Sequence, residues 1–544
     1  MNTRMWTPPT RAGQVVAAAT VIITAALTAV ASTAGGATAG NPPPAAAAAA
    51  HLPGFLAHPV ARTDTGLVRG TATAGVRSFT GIPYAAPPVG ALRWRAPRPA
   101  ARWAGIRDAS RFGAHCAQNG GSFGQASTAE DCLFLNVYSP ARAGFPATRR
   151  APVMVWIHGG ALVTGLSDSY DPTALVGQGT VVVTINYRLG ALGFLAHPAL
   201  SAEQGDGASG DYGLMDQQAA LRWVRRNIGN FGGDRNNVTI FGESAGGLSV
   251  HSQLVSPGAA GLFGKAIVES GAYNLDQASL ATAQANGTGF ATATGCADQS
   301  AACLRALPVA TILARQPTNI APNVDGRVLP RTVRAAFTSG RFNRVPVVEG
   351  SNHDEWRLFV AVTELTTGAP LTAAGYVAAI QATLGVPAAT AAALAAVYPV
   401  GAYPSPALAL STLGTDAIFA CNARLSARLL AQFVPTYQYE FNDPDAPMLF
   451  LPPVSFPTGA YHAAELQYVF PPATSRLTGD QIALSRAMVF NWARFARTGN
   501  PGLRGASSWP RYGAADSYQA LRPRDRGAAS GFAADHRCAV WGSA

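Results

Sequence analysis

Ser244 sits in "NVTIFGESAGGLSVH", between Gly242 and Gly246. A serine framed this way can serve as a nucleophile, but the Gly-x-Ser-x-Gly pattern is weak evidence in a chain with 57 glycines. Ser122, in "GGSFG", fits the same pattern. Context separates the two. Val238, Ile240 and Phe241 give Ser244 a β-prone approach, and "AGGLSVHSQLV" behind it can form a helix. A sharp strand–turn–helix lifts the hydroxyl clear of a sheet. The new helix also aims backbone N–H groups at developing negative charge. Ser122 lies between "AHCAQNG" and "QASTAEDC", which have neither strand nor helix character, so it reads as a loop serine.

A serine hydroxyl needs a base to attack, and on a strand–turn–helix elbow the acid and then the base follow the serine along the chain. Four histidines follow Ser244: His251, His353, His462 and His536. His251 belongs to the same predicted helix and points away from the turn. His353 precedes the acid candidates and suits a supporting position. His536 lies beside Cys538 near the terminus. His462, in "GAYHAAELQYVF", is the expected base. "GSNHDEW" offers Asp354 and Glu355 after a strand-like run, and either could orient the imidazole; the residues alone leave that choice open. The oxyanion donors are expected at Ala245 N–H and in "IHGGALVTG", where glycines permit close backbone approach.

The elements that must hold these groups read as α/β. "APVMVWIHGG", "GTVVVTINYR", "NVTIFGES" and "VPVVEGSN" are short apolar runs that end in glycine or polar turns. Leu214, Leu221, Val224 and Ile228 recur at helical spacing between the second and third of them. Strand, helix, strand predicts a mostly parallel sheet with helices on both faces. An Ala/Thr-rich helical stretch over 360–398, a later strand in "PTYQYEFN" and a terminal helix in "IALSRAMVFNWARFARTG" complete the pattern, with no internal repeat. This organisation predicts one large domain over 63–544.

Residues 1–39 read as a signal peptide: Arg4 and Arg11 precede an apolar stretch and small-residue cleavage patterns. Residues 40–62 read as an Ala/Pro-rich spacer. Export and signal cleavage would leave no stable membrane insertion. The net charge is +11, almost all from arginine, with Lys265 the single lysine. The arginines form no block, which argues against a nucleic-acid partner. The Ala/Gly/Arg-rich, Lys-poor composition resembles that of a GC-rich bacterial genome. Six cysteines in an exported chain suggest three disulfides, and spacing favours Cys116–Cys132, Cys296–Cys303 and Cys421–Cys538. The absence of C-x-x-C argues against zinc or thioredoxin-type sites.

These stretches, together with "FTGIPYAAPPVGALRWRAP", "EDCLFLNVYSP", "INYRLGALGFL" and "WARFARTGNP", resemble the type-B carboxylesterases, the group that includes cholinesterases and some secreted fungal lipases. The resemblance covers nearly all of residues 65–544. It implies an α/β-hydrolase fold with helical insertions forming the pocket, a small-molecule ester substrate, and no metal or organic cofactor. It assigns the acid to Glu355 and the base to His462. It gives the hole donors as Gly160, Ala161 and Ala245, with Gly159 freeing the loop. It repeats the three disulfides and adds scaffold ion pairs Arg93–Glu130 and Arg188–Asp216. The chain departs from the family at Ala161, where many members have a third glycine, and at Trp356, where glycine is usual. A bulky Trp356 is expected to reshape the pocket wall. The Cys116–Cys132 loop has Phe123 as its only aromatic, so cation–π recognition of choline is not expected. A lipase acting on glycerides is the second reading, and a non-catalytic binding relative the third. Acyl and alcohol specificity and oligomeric state are not set by the sequence.

Overall fold

The computed structural model describes residues 58–73, 75–141, 150–205, 207–472, 475–503 and 509–542. The expected signal peptide lies outside the described residues, as does most of the expected spacer. In chain order the strands are β1 (Val60–Arg62), β2 (Leu67–Arg69), β3 (Thr71–Ala72), β4 (Val76–Pro83), β5 (Ile106–Asp108), β6 (Phe134–Pro140) and β7 (Ala151–Ile157). They continue with β8 (Val181–Ile185), β9 (Gly233–Glu243), β10 (Lys265–Glu269), β11 (Val347–Asn352), β12 (Thr436–Phe441), β13 (Tyr518–Leu521) and β14 (Gly527–Ala529). Strand β1 falls inside the stretch read as spacer from composition, so that boundary is corrected: ordered pairing with β2 already includes Val60–Arg62.

Eleven strands form one sheet in the order β14-β13-β12-β11-β10-β9-β7-β8-β6-β4-β3. The centre, from β13 to β8, is parallel, and the flanking pairs are antiparallel. Strands β7, β8, β10, β11 and β12 are buried at every residue. That is why they read as unbroken apolar runs: helices cover both faces of a parallel sheet. This is the α/β-hydrolase fold.

The chain leaves β7 toward β8 on one side and leaves β9 toward β10 on the other. The order therefore reverses between β7 and β9, and ligands of open α/β sheets bind beyond the carboxyl ends of strands at such a reversal. The loops after β7 and β9 are the "IHGGA" and "GESAG" stretches.

The helix Tyr212–Asn227 buries Leu214, Leu221 and Val224, while Ile228 opens the short turn behind it. The Ala/Thr-rich region forms Arg357–Thr367, Tyr376–Leu384 and Ala388–Val397. The late helix Gly479–Thr498 starts at a Thr478/Gln481 capping box. A π-helical turn over Thr415–Ala420 had no counterpart in the sequence reading. All three expected disulfides are present. So are the Arg93–Glu130 and Arg188–Asp216 ion pairs, at 2.6 and 2.7 Å. Among the described residues, no single helix is long and apolar enough to cross a membrane.

The helix after Ser244 crosses β7 at very short range. A Cβ on Gly246 would stand 1.9 Å from the Ile157 carbonyl oxygen. Because that neighbour is backbone, Gly246→Ala should cost at least the ~1–3 kcal/mol typical of overpacking and lower the thermal midpoint. Gly289→Ala is the control: its site in helix Leu280–Ala293 is open, so it should stabilise slightly. An unchanged midpoint in Gly246→Ala would contradict the crossing.

Candidate active site

Strand β9 ends at Glu243, and Ser244 turns the chain into helix Ala245–Val255. Ser244 has φ 55° and ψ −121°, a conformation sparsely populated by non-glycine residues and held only where surroundings impose it. Here its N–H donates to the Glu269 carbonyl at 2.8 Å. Burial raises the Tyr273 hydroxyl far above its ordinary pKa, against a smaller opposing hydrogen bond with the Ser244 side chain.

The loop after β7 lies against this turn. A Cβ on Gly159 would approach the Glu243 carbonyl oxygen to 2.8 Å and Ser244 Cβ to 3.2 Å. Gly160, Ala161 and Leu162 all have positive φ, at 98°, 54° and 62°. The Gly160 carbonyl accepts from Val163 and Thr164 N–H. Among the described residues, the N–H groups of Gly160, Ala161 and Ala245 have no acceptor. Unpaired N–H groups on the two loops that meet at this turn make a ready anion cradle. His158 shapes the loop: its ring stacks on Tyr187 and Nδ1 lies 2.9 Å from the Gly159 oxygen. Burial lowers its pKa to about 4, which keeps it neutral.

His462, in the segment after β12, reaches the residue before Ser244. Its Nδ1 is 2.6 Å from Glu355 Oε2, and Glu355 Oε1 accepts the Asn352 N–H at 2.8 Å. The imidazole is walled by Phe419 and Phe359, with ring centroids at 4.9 and 5.2 Å. The π-helical turn delivers Phe419, a role no periodicity could have foretold. His462 Nε2 lies 3.2 Å from Glu243 Oε1, without hydrogen-bond alignment. Asp354 turns elsewhere: it meets His353, Arg357 and the Ala460 N–H. His251 points away from the turn, as expected, and meets Glu349 at 2.7 Å. His536 lies between Asp416 and Glu440.

A cavity of about 740 Å³ opens over this region, lined by Gly159, Gly160, Glu243, Ala463 and many apolar side chains. Ser122 and Phe123 also line it. The loop serine that shared the motif is thus part of the cavity wall. Trp356 is not in the wall, contrary to expectation: it is buried against Phe359 at 4.5 Å. Its bulk reaches the site only through the rings that flank His462.

No local pattern in the sequence marks the buried acids. Burial raises Glu243 and Glu465 well above the carboxylate range; Glu355 and Glu269 reinforce this for Glu243, and Glu243 with both of them does so for Glu465. Burial pushes Glu269 up to about 8, against a hydrogen bond from Trp492. An unfolded glutamate titrates near ~4.3, so between there and about 8 the folded chain keeps a proton that the unfolded chain releases. Stability therefore falls as pH rises through that window, by up to ~1.4 kcal/mol per unit. Glu269→Gln removes this contribution while keeping an acceptor for Trp492. Its thermal midpoint should gain on the parent more at pH 8 than at pH 5. Equal differences at both pH values would refute the assignment.

An elbow serine at the switch point of this sheet, with a carboxylate-held histidine in contact with the residue before it, is an arrangement of the α/β-hydrolases. The Carboxylesterase family model matches residues 57–541, and the chain belongs to that family. It is 37% identical over 490 residues to an acylcarnitine hydrolase of Mus musculus, covering 84% of this chain and 86% of the relative. It is 36% identical over 476 residues to a fumonisin B1 esterase of Sphingopyxis macrogoltabida, covering 83% and 84%. A para-nitrobenzyl esterase of Bacillus subtilis (strain 168) is 34% identical over 501 residues, covering 84% and 93%. The protein is a carboxylic ester hydrolase.

Proposed function

We propose that this chain is a secreted serine carboxylesterase working through Ser244, Glu355 and His462. The observation that carries the reading is the 2.6 Å contact of Glu355 with His462 Nδ1. A proton on Nδ1 leaves the Nε2 lone pair for the Ser244 hydroxyl. Burial, reinforced by Glu355 and Glu269, raises the Glu243 carboxyl well above the usual carboxylate range, which favours a neutral neighbour for Nε2. His462 takes the Ser244 proton as Oγ attacks the ester carbonyl. The N–H groups of Gly160, Ala161 and Ala245 receive the oxyanion, with Gly159 allowing the close approach. His462 then protonates the leaving alcohol, and water attacks the acyl-enzyme with His462 again as base. No step requires a metal or organic cofactor.

Export, signal cleavage and a single catalytic domain remain part of the reading; the three disulfides favour an oxidising compartment.

Ser244→Ala should retain its fold by circular dichroism and lose turnover by a factor on the order of 10⁵–10⁶. Glu355→Gln should lose ~10⁴, as a wrong tautomer does, while Asp354→Asn keeps most of its activity. The reverse order for the two acids would overturn the assignment.

The cavity suggests the substrate class. Among the described residues that line it, the acidic ones are Asp168, Asp171 and Glu243, and none is basic. Neutral esters should therefore be preferred over esters with a free carboxylate in the acyl group, despite the basic chain as a whole. In a paired kcat/KM comparison, a neutral p-nitrophenyl ester should exceed its ω-carboxylate analogue at least tenfold, about 1.4 kcal/mol. Equal values would sink this preference. A lipase reading draws support from Phe112 and Leu449, both exposed and both lining the cavity. Preference for long acyl chains with activation at an oil–water interface would move the proposal there.

A further inference from the structure

His353 opens the loop that carries Glu355, yet it turns toward a different set of donors. One ligand atom from each of His353, Glu440 and Asp535 lies within 4.8 Å of the other two. The three come from separate parts of the chain: the turn after β11, strand β12 and the short helix Phe532–Asp535.

Two features single this group out from an ordinary charged cluster. Glu440 is fully buried, and its Oε1 accepts from His536 Nε2 at 2.7 Å. Its Oε2 has no hydrogen-bond partner among the described residues. A buried carboxylate oxygen left unsatisfied is costly, and a cation is the ligand that relieves it. The other feature is orientation. His353 Nδ1 lies 3.0 Å from Asp354 Oδ1, which leaves Nε2 on the side of Asp535 Oδ2, 3.7 Å away. Metal-binding histidines are commonly held this way, with the far nitrogen on a carboxylate. Glu440 has matching support: His536, which holds it, is itself held by Asp416 at 2.7 Å.

We propose that His353, Glu440 and Asp535 bind one divalent transition-metal ion of the Zn²⁺ class. One imidazole with two carboxylates suits a borderline cation better than calcium or magnesium. Donors about 2 Å from a shared ion stand up to roughly 4 Å apart. The group needs only a small contraction, and the exposed Asp535 side chain can supply it. The role is structural: the ion ties the C-terminal helix to the strand ends beside the catalytic acid.

The test uses the untagged full chain, washed with chelator and titrated with Zn²⁺ by calorimetry. The expected result is one Zn²⁺ per chain and a thermal midpoint that climbs with Zn²⁺ concentration. Asp535→Asn, a change at an exposed side chain, should weaken binding by at least the roughly 10–100-fold that loss of an outer-sphere partner costs. Failure of the parent chain to take up Zn²⁺ overturns the proposal. So does uptake by Asp535→Asn with unchanged affinity. Neither readout depends on ester turnover.

Discussion

The passage of the elbow helix over β7 leaves no room for a side chain. Gly246 sits where a methyl group would overlap the Ile157 carbonyl, and Gly242 faces that same carbonyl and the Gly246 backbone. This contact sets the height of the helix above the sheet, and with it the turn that places Ser244 in a strained conformation. It also brings the loop after β7 beside the serine, so that two strand ends contribute donors to one point. Relaxing the contact would move the nucleophile and its anion cradle apart together.

Around that point the protein places more carboxyl groups than a dry interior can ionise. Glu243, Glu269, Glu355 and Glu465 repel one another and are far from water. Glu355 alone among them meets an imidazole on one oxygen and a backbone N–H on the other. Burial raises Glu243, Glu269 and Glu465, and repulsion from the neighbouring carboxylates adds to this for Glu243 and Glu465. The cost is a fold whose stability depends on pH well above the normal range for acids.

The sequence already contained most of this frame. Buried parallel strands announce themselves as apolar runs, so β7, β8, β9 and β11 were visible, and their glycine-ended turns located Ser244 and the loop at Gly159. Chain order left four histidines, and the placement of His251 on the elbow helix, His353 before the acids and His536 beside Cys538 left His462. Choosing between Asp354 and Glu355 was beyond local physics, because adjacent carboxylates differ only in direction; family resemblance favoured Glu355, and the structure turns Asp354 toward His353 and Arg357. The buried acids were hidden because burial is a property of the assembled fold. Phe419 was hidden because a π-turn shifts a side chain without leaving a periodic trace. Trp356 was misjudged as a wall residue: helix Arg357–Thr367 begins immediately after it and carries it into the core.

The segment between Cys116 and Cys132 acquires a different meaning once its position is known. Its disulfide closes a ring with a sequence separation of 16. The ring is pinned to the domain by Gln118 contacts with Thr164 and Gly165 and presents Ser122 and Phe123 to the cavity. None of the residues proposed to react belongs to it. The covalent staple thus separates the inheritance of the chemistry from the inheritance of the cavity shape. Substitutions inside the ring can remodel what enters without disturbing the bond-breaking centre, which makes this short loop a natural unit of diversification.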